Sequence, residues 1–113
     1  MIEQEIIDFF ENQGILPDGF VDYMNNGRIK KYPSDADISW FNCFTKMDGD
    51  KLIDLLVIVP KIVDLKTMLI NIHEYTHAIE LYSKLNCIYV ENVEQSEAYA
   101  KSMELEYKKT INK

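Results

Sequence analysis

The segment from Leu65 to Leu85 contains neither glycine nor proline, and no other feature constrains the fold of this 113-residue chain as strongly. Apolar side chains recur in it at intervals of three and four residues, the spacing of one helical face. Further apolar residues fall on other sides of the same helix, as is typical of a helix buried on several faces. We therefore predict a central helix that begins after an Asp64 N-cap and ends near Asn86. The residues at helical spacing are Leu65, Met68, Leu69, Ile72, Thr76 and Ile79.

Shorter elements precede this helix. Residues 2–12 have the spacing of an amphipathic helix, which Gly14 and Pro17 then break. Two apolar runs, residues 38–47 and 51–59, surround an Asp-Gly turn and predict a β-hairpin. Three aromatic residues of the first run are expected in the hairpin core: Trp40, Phe41 and Phe44.

The remaining segments complete the predicted architecture. Asn92 is a plausible cap for a final helix over residues 93–110, and residues 87–90 form either a short strand or an extended connection. Residues 18–38 carry turn signals without a clear helix or strand pattern. The whole pattern predicts one α+β domain over residues 1–113.

Charge and composition exclude several classes of function. The net charge is −7, whereas nucleic-acid binding and anionic membrane surfaces both require a basic face, so we expect neither as a partner. The N-terminus is acidic where a signal peptide is basic, and no apolar run reaches the roughly 18 residues that span a bilayer. Cys43 and Cys87 form no C-x-x-C pair, which favours free thiols. These features predict a cytoplasmic protein.

The sequence His73-Glu74-Tyr75-Thr76-His77 lies inside the predicted central helix and contains both histidines of the chain. Residues four apart share one helical face, so two imidazoles at this spacing can bind a single metal ion. Glu74 projects about 100° round the helix from His73, where it can reach a water on the metal without binding the metal itself. This is the H-E-x-x-H arrangement in which the glutamate acts as general base.

A catalytic zinc ion usually has three protein ligands, so a third ligand is needed beyond the two histidines. Glu97 is the preferred candidate because it lies on the most apolar stripe of the final helix, where a carboxylate is unusual without a partner. The other residues of this stripe are Val93, Ala100, Met103 and Tyr107. Glu94 and Glu104 remain open as alternatives.

The segment His73-Glu74-x-x-His77, followed by Glu97-Ala98-Tyr99-Ala100, resembles the gluzincin group of zinc metallopeptidases. The resemblance covers residues 64 to about 107 and implies a minimal zincin-like domain, with a small sheet packed on the motif helix. It also implies His73, His77 and Glu97 as zinc ligands and Glu74 as the general base. The chain carries Lys101 where many members place an Asp or Asn that orients a ligand histidine.

The function expected from these residues is zinc-dependent hydrolysis of a peptide bond in a peptide or protein substrate. Two alternatives remain open at this stage. The domain would bind zinc without cleaving, or it would serve as a protein-interaction module in which the motif has no metal.

Overall fold

The computed structural model describes residues 1–49, 51–83 and 93–112, which form an α+β fold. The predicted fold class is therefore confirmed at this level. The predictions for Asn86, for residues 87–90, for Cys87 and for the Asn92 cap lie outside the described residues. In chain order the elements are helix α1 (Gln4–Asn12), helix α2 (Phe20–Asn25), strand β1 (Ile29–Tyr32), a 3-10 helix (Ile38–Trp40), strand β2 (Asn42–Asp48), strand β3 (Lys51–Pro60), helix α3 (Leu65–Ser83) and helix α4 (Val93–Ile111).

The sheet has the strand order β1-β3-β2, and β2 and β3 form the predicted antiparallel hairpin. Asn42 lies opposite Ile58 at one end of the hairpin, and Asp48 lies opposite Lys51 at the other. Gly49 has a φ of +57° in the turn, a conformation that glycine adopts without the clash of a side chain. The prediction placed the start of the first strand too early, because residues 38–40 wind into the 3-10 helix.

Strand β1 falls in the segment where the sequence showed no clear element. It pairs in parallel with β3, with Ile29 opposite Val57 and Tyr32 opposite Pro60. Two of its four residues are lysines, so its own sequence carries little of the alternation that identifies a strand. Its extended conformation depends on hydrogen bonds to a partner strand that lies far along the chain.

The central strand β3 supplies the core side of the sheet. Leu55, Val57 and Val59 are fully buried, as expected when alternate residues of a strand face the same side. Helix α3 packs against β3 and β2, and α4 packs against α3. Helix α1 adds Ile6 and Phe10 to the same core.

The start of α3 is held by specific polar contacts. Asp64 Oδ1 accepts a hydrogen bond of 2.9 Å from the backbone N–H of Thr67, which confirms the predicted N-cap. One turn later the buried Asn71 donates from Nδ2 to the carbonyl oxygen of Pro60 at 3.0 Å. This bond ties α3 to the end of β3 two residues before His73.

Two of the three aromatic residues expected in the hairpin core are exposed. Trp40 is 60% exposed and Phe44 is 49% exposed, whereas Phe41 is buried as predicted. Phe44 lies opposite Leu56, the neighbour of the buried Val57 in β3. Successive residues of a strand face opposite sides of the sheet, so Leu56 and Phe44 are on the face turned away from α3. Among the described ranges, no helix combines the length and apolar character needed to cross a membrane.

Candidate metal centre

Helix α3 places the two histidines of the motif on one face, one turn apart. Their Nε2 atoms are 3.2 Å from each other, and the two rings meet edge to face with centroids 4.8 Å apart. Both side chains are mostly buried between α3 and α4. The geometry follows from the four-residue spacing, as the sequence predicts.

Helix α4 brings Glu97 against both histidines. Its Oε1 lies 2.8 Å from His77 Nε2, and its Oε2 lies 3.2 Å from His73 Nε2. One donor atom from each of the three residues lies within 4.8 Å of the others. Among the carboxylates considered from the sequence, Glu97 is thus the one that joins the two Nε2 atoms, whereas Glu104 contacts a different nitrogen and Glu94 is exposed.

The second ring nitrogen of each histidine is also held. His73 Nδ1 lies 2.8 Å from Oε2 of Glu104, and His77 Nδ1 lies 3.0 Å from Oγ of Ser96. A carboxylate accepts but does not donate when ionised, so the Glu104 contact places a proton on His73 Nδ1. In neutral His73, Nε2 then presents a lone pair toward Glu97 and His77, which is the form in which imidazole binds a metal.

The donor set fits a zinc ion. The distances between the facing nitrogen and oxygen atoms run from 2.8 to 3.4 Å. Two ligands on a tetrahedral zinc ion with bonds of about 2.0–2.1 Å are separated by about 3.3 Å. Lone pairs that face one another at such distances repel unless a cation lies between them, and a metal ion or a proton would meet that need.

Glu74 is buried beside this group. Only 6% of its surface is exposed, and this burial raises its carboxyl pKa to about 7. His73 opposes that rise in the pKa, while the negative charges of Glu97 and Glu104 add to it. A carboxyl with a pKa near neutrality can both accept and release a proton at physiological pH.

The other ionisable groups of the site are shifted in the directions that mutual attraction predicts. Burial of His73 acts to lower its pKa. The hydrogen bond to Glu104 and the charges of Glu74, Glu97 and Glu104 act in the opposite direction and outweigh burial, so the net pKa of His73 is raised. Burial likewise raises the pKa of Glu97, but the two histidines outweigh it and the pKa falls. In the metal-free protein, protons therefore compete for the same nitrogen that a metal would use.

A pocket of about 470 Å³ opens onto this group. Its wall combines three acids, Glu74, Glu97 and Glu104, with the apolar side chains of Phe41 and Ile70. Asn42, the first residue of β2, also lines it, so one of the two edge strands of the described sheet begins at the pocket. A molecule that entered this pocket would meet His73 and Glu74 together.

The sequence analysis missed two contacts of the site. Glu104 was considered as a metal ligand, but it contacts Nδ1 of His73, the nitrogen that points away from Glu97. Orienting a ligand histidine in this way is the role that the resemblance assigned to the position of Lys101. The signal was present, because Glu97 and Glu104 are seven residues apart and so lie on one helical face. Ser96 was not singled out, since a serine next to a glutamate carries no distinct pattern.

Comparison with known proteins adds no relative to this picture. No family model, no curated protein and no solved structure matches the chain. The interpretation of the site therefore depends on the geometry of its own residues.

Proposed function

We propose that this chain is a zinc-dependent hydrolase that cleaves peptide bonds, with a minimal zincin-like fold. His73, His77 and Glu97 would hold the zinc ion, and Glu74 would be the general base. The observation that carries the proposal is the convergence of two imidazole nitrogens and one carboxylate from α3 and α4, beside a buried fourth carboxylate.

The chain's own residues support a division of roles. When bound, zinc would supply Lewis acidity and lower the pKa of a bound water. Glu74 lines the pocket and is a buried carboxylate beside the three ligands, which suits a group that takes a proton from the attacking water and passes it to the leaving amine. Glu104 holds His73 by Nδ1 and so keeps its Nε2 directed into the site.

The position of β2 supports a peptide as the substrate. Among the described strands β2 pairs only with β3, so its other edge is free to pair with an extended chain. Asn42 at its start lines the pocket, and a peptide added to this edge would run past His73 and Glu74. Main-chain hydrogen bonds would then hold the peptide, and the pocket would accept a side chain.

Metal content and peptide cleavage test the proposal together. Elemental analysis of zinc-reconstituted wild-type protein should give about one zinc ion per chain, as one three-ligand site requires. His73→Ala and Glu97→Ala should lose that zinc. Glu74→Gln should retain zinc but cleave unstructured peptides about 10²–10⁴-fold more slowly, because it keeps the shape of the side chain and removes the base.

Glu106→Gln is the matched control, because Glu106 lies on the solvent side of α4 and pairs with Lys109. It should retain both zinc and activity. Reconstituted wild-type protein without zinc would refute the metal site. Zinc without cleavage of any peptide in a mixed library, read by mass spectrometry, would instead identify a binding domain, and full activity in Glu74→Gln would refute the role of the base.

A further inference from the structure

The two histidines of the site are held at their outer nitrogens in different ways. A carboxylate contacts His73 directly, but a hydroxyl contacts His77: Ser96 Oγ lies 3.0 Å from His77 Nδ1. The same hydroxyl donates a hydrogen bond of 2.8 Å to Oε1 of Glu80. Ser96 is only 8% exposed, so few water molecules compete for these contacts.

The chemistry of these groups determines the direction of both hydrogen bonds. A serine hydroxyl has one proton to donate, whereas an ionised carboxylate has none. The proton of Ser96 is therefore committed to Glu80, and its oxygen accepts from His77. His77 must then carry a proton on Nδ1, so that a neutral His77 has its lone pair on Nε2.

The lone pair of His77 Nε2 faces the rest of the candidate metal site. His77 Nε2 lies 2.8 Å from Glu97 Oε1 and 3.2 Å from His73 Nε2. Without Glu80, the Ser96 hydroxyl could turn and donate to Nδ1. The opposite tautomer would then place a hydrogen on Nε2, where it would block the metal-binding position.

We propose that Glu80 and Ser96 form a positioning relay that holds His77 in its metal-binding tautomer; the inference builds on the proposed zinc site. Glu80 acts through Ser96 and touches neither metal nor substrate. The relay runs from α3 to α4 and back, since His77 and Glu80 are on α3 and Ser96 is on α4. Ser96 and Glu97 are consecutive, so docking of α4 sets the tautomer and delivers the third ligand in one step.

The tautomer itself is the first readout, and it requires no metal. The imidazole nitrogens are observed in a metal-free Glu97→Ala background by long-range ¹H–¹⁵N NMR, above the pH range in which histidine titrates, because the Glu97 carboxylate 2.8 Å from His77 Nε2 would otherwise accept a proton from that nitrogen. The chain has only two histidines, so a His73→Ala variant assigns both sets of signals. In that background His77 should be almost entirely the Nδ1–H form, and adding Glu80→Gln should shift it toward the Nε2–H form.

Zinc affinity, measured by competition with a chromogenic chelator, is the second readout. Glu80→Gln and Ser96→Ala should each weaken zinc binding by about 10–100-fold, the usual effect of losing a group that orients a ligand. The double variant should be no weaker than Ser96→Ala, because Glu80 acts only through the hydroxyl. Two controls on α4 should change affinity less than about twofold: Glu106→Gln and Ser102→Ala, whose hydroxyl bonds to the Tyr99 carbonyl.

The outcomes separate the relay from the zinc site. Additive losses in the double variant, or an unchanged tautomer in Glu80→Gln, would overturn the relay while leaving the zinc site intact. Failure of wild-type protein to bind zinc would refute the proposed function, and the tautomer measurement would still decide the relay. If Ser96→Ala does not fold, the isosteric Glu80→Gln variant alone decides through its tautomer.

Discussion

Replacing Glu74 by glutamine should stabilise the metal-free protein, and the gain should grow as the pH rises. Burial raises the carboxyl pKa from 4.5 to about 7, so the folded protein holds this proton more tightly than the unfolded chain. Below pH 4.5 the Glu74 carboxyl is neutral in both the folded and the unfolded chain and does not reduce the free energy of unfolding. The free energy of unfolding then falls as the pH rises from 4.5 to about 7. One pKa unit corresponds to about 1.4 kcal/mol, so the ionised side chain costs about 3 kcal/mol at alkaline pH.

Glutamine has the same shape and no charge to lose, so its advantage should follow the titration of Glu74. Urea unfolding with a chelator present should show Glu74→Gln more stable than wild type by about 1 kcal/mol at about pH 5 and about 3 kcal/mol at about pH 8. Glu106→Gln, at a partly exposed position away from the site, should change the free energy of unfolding by less than about 0.5 kcal/mol at both pH values. A Glu74→Gln effect that is independent of pH, or destabilising at pH 8, would refute the argument that burial and the neighbouring carboxylates penalise this charge.

Four further predictions follow from the site. Glu97→Ala should weaken zinc binding more than the roughly 10–100-fold expected for Glu104→Gln, as measured by chelator competition; the reverse order would make Glu104 the ligand. Zinc at about 100 times its dissociation constant should add about 2.7 kcal/mol to the free energy of unfolding, and no stabilisation should appear in His77→Ala. Zinc affinity should fall as the pH drops through the histidine range, because protons compete for Nε2; a flat profile of affinity against pH would contradict this. Burial, with the nearby Glu74 carboxylate, raises the pKa of the Cys43 thiol to about 12, so in a Cys87→Ala variant a thiol reagent should react rapidly only after unfolding.

The histidine pair shows how much of a site local sequence can specify. Two residues four apart on a helix lie on one face whatever surrounds the helix, so the position of His73 beside His77 needs only the helix itself. The Asp-Gly hairpin and the Asp64 cap are local in the same sense, because their hydrogen bonds join residues a few positions apart. The sequence predicts all three correctly for that reason.

Glu97 is an intermediate case. Its place on an apolar stripe of α4 indicated that it faces another element, and the structure brings it to the two histidines. The stripe favoured Glu97, but Glu104 lies two turns later on the same face of the helix and therefore remained an alternative. The position of α4 along the axis of α3 decides which glutamate reaches which nitrogen. It places Glu97 at Nε2 of His73 and Glu104 at Nδ1 of the same ring.

The sequence by itself determined helices α1, α3 and α4, the hairpin and the pairing of the two histidines with Glu74, because those features arise from spacings of one to four residues. The tertiary structure alone decided the parallel pairing of β1, the exposure of Trp40 and Phe44, and the contacts of Ser96 and Glu80 with His77. Each of these depends on which faces of distant elements pack together. That choice is made by the burial of the whole apolar core, so no short stretch of sequence encodes it.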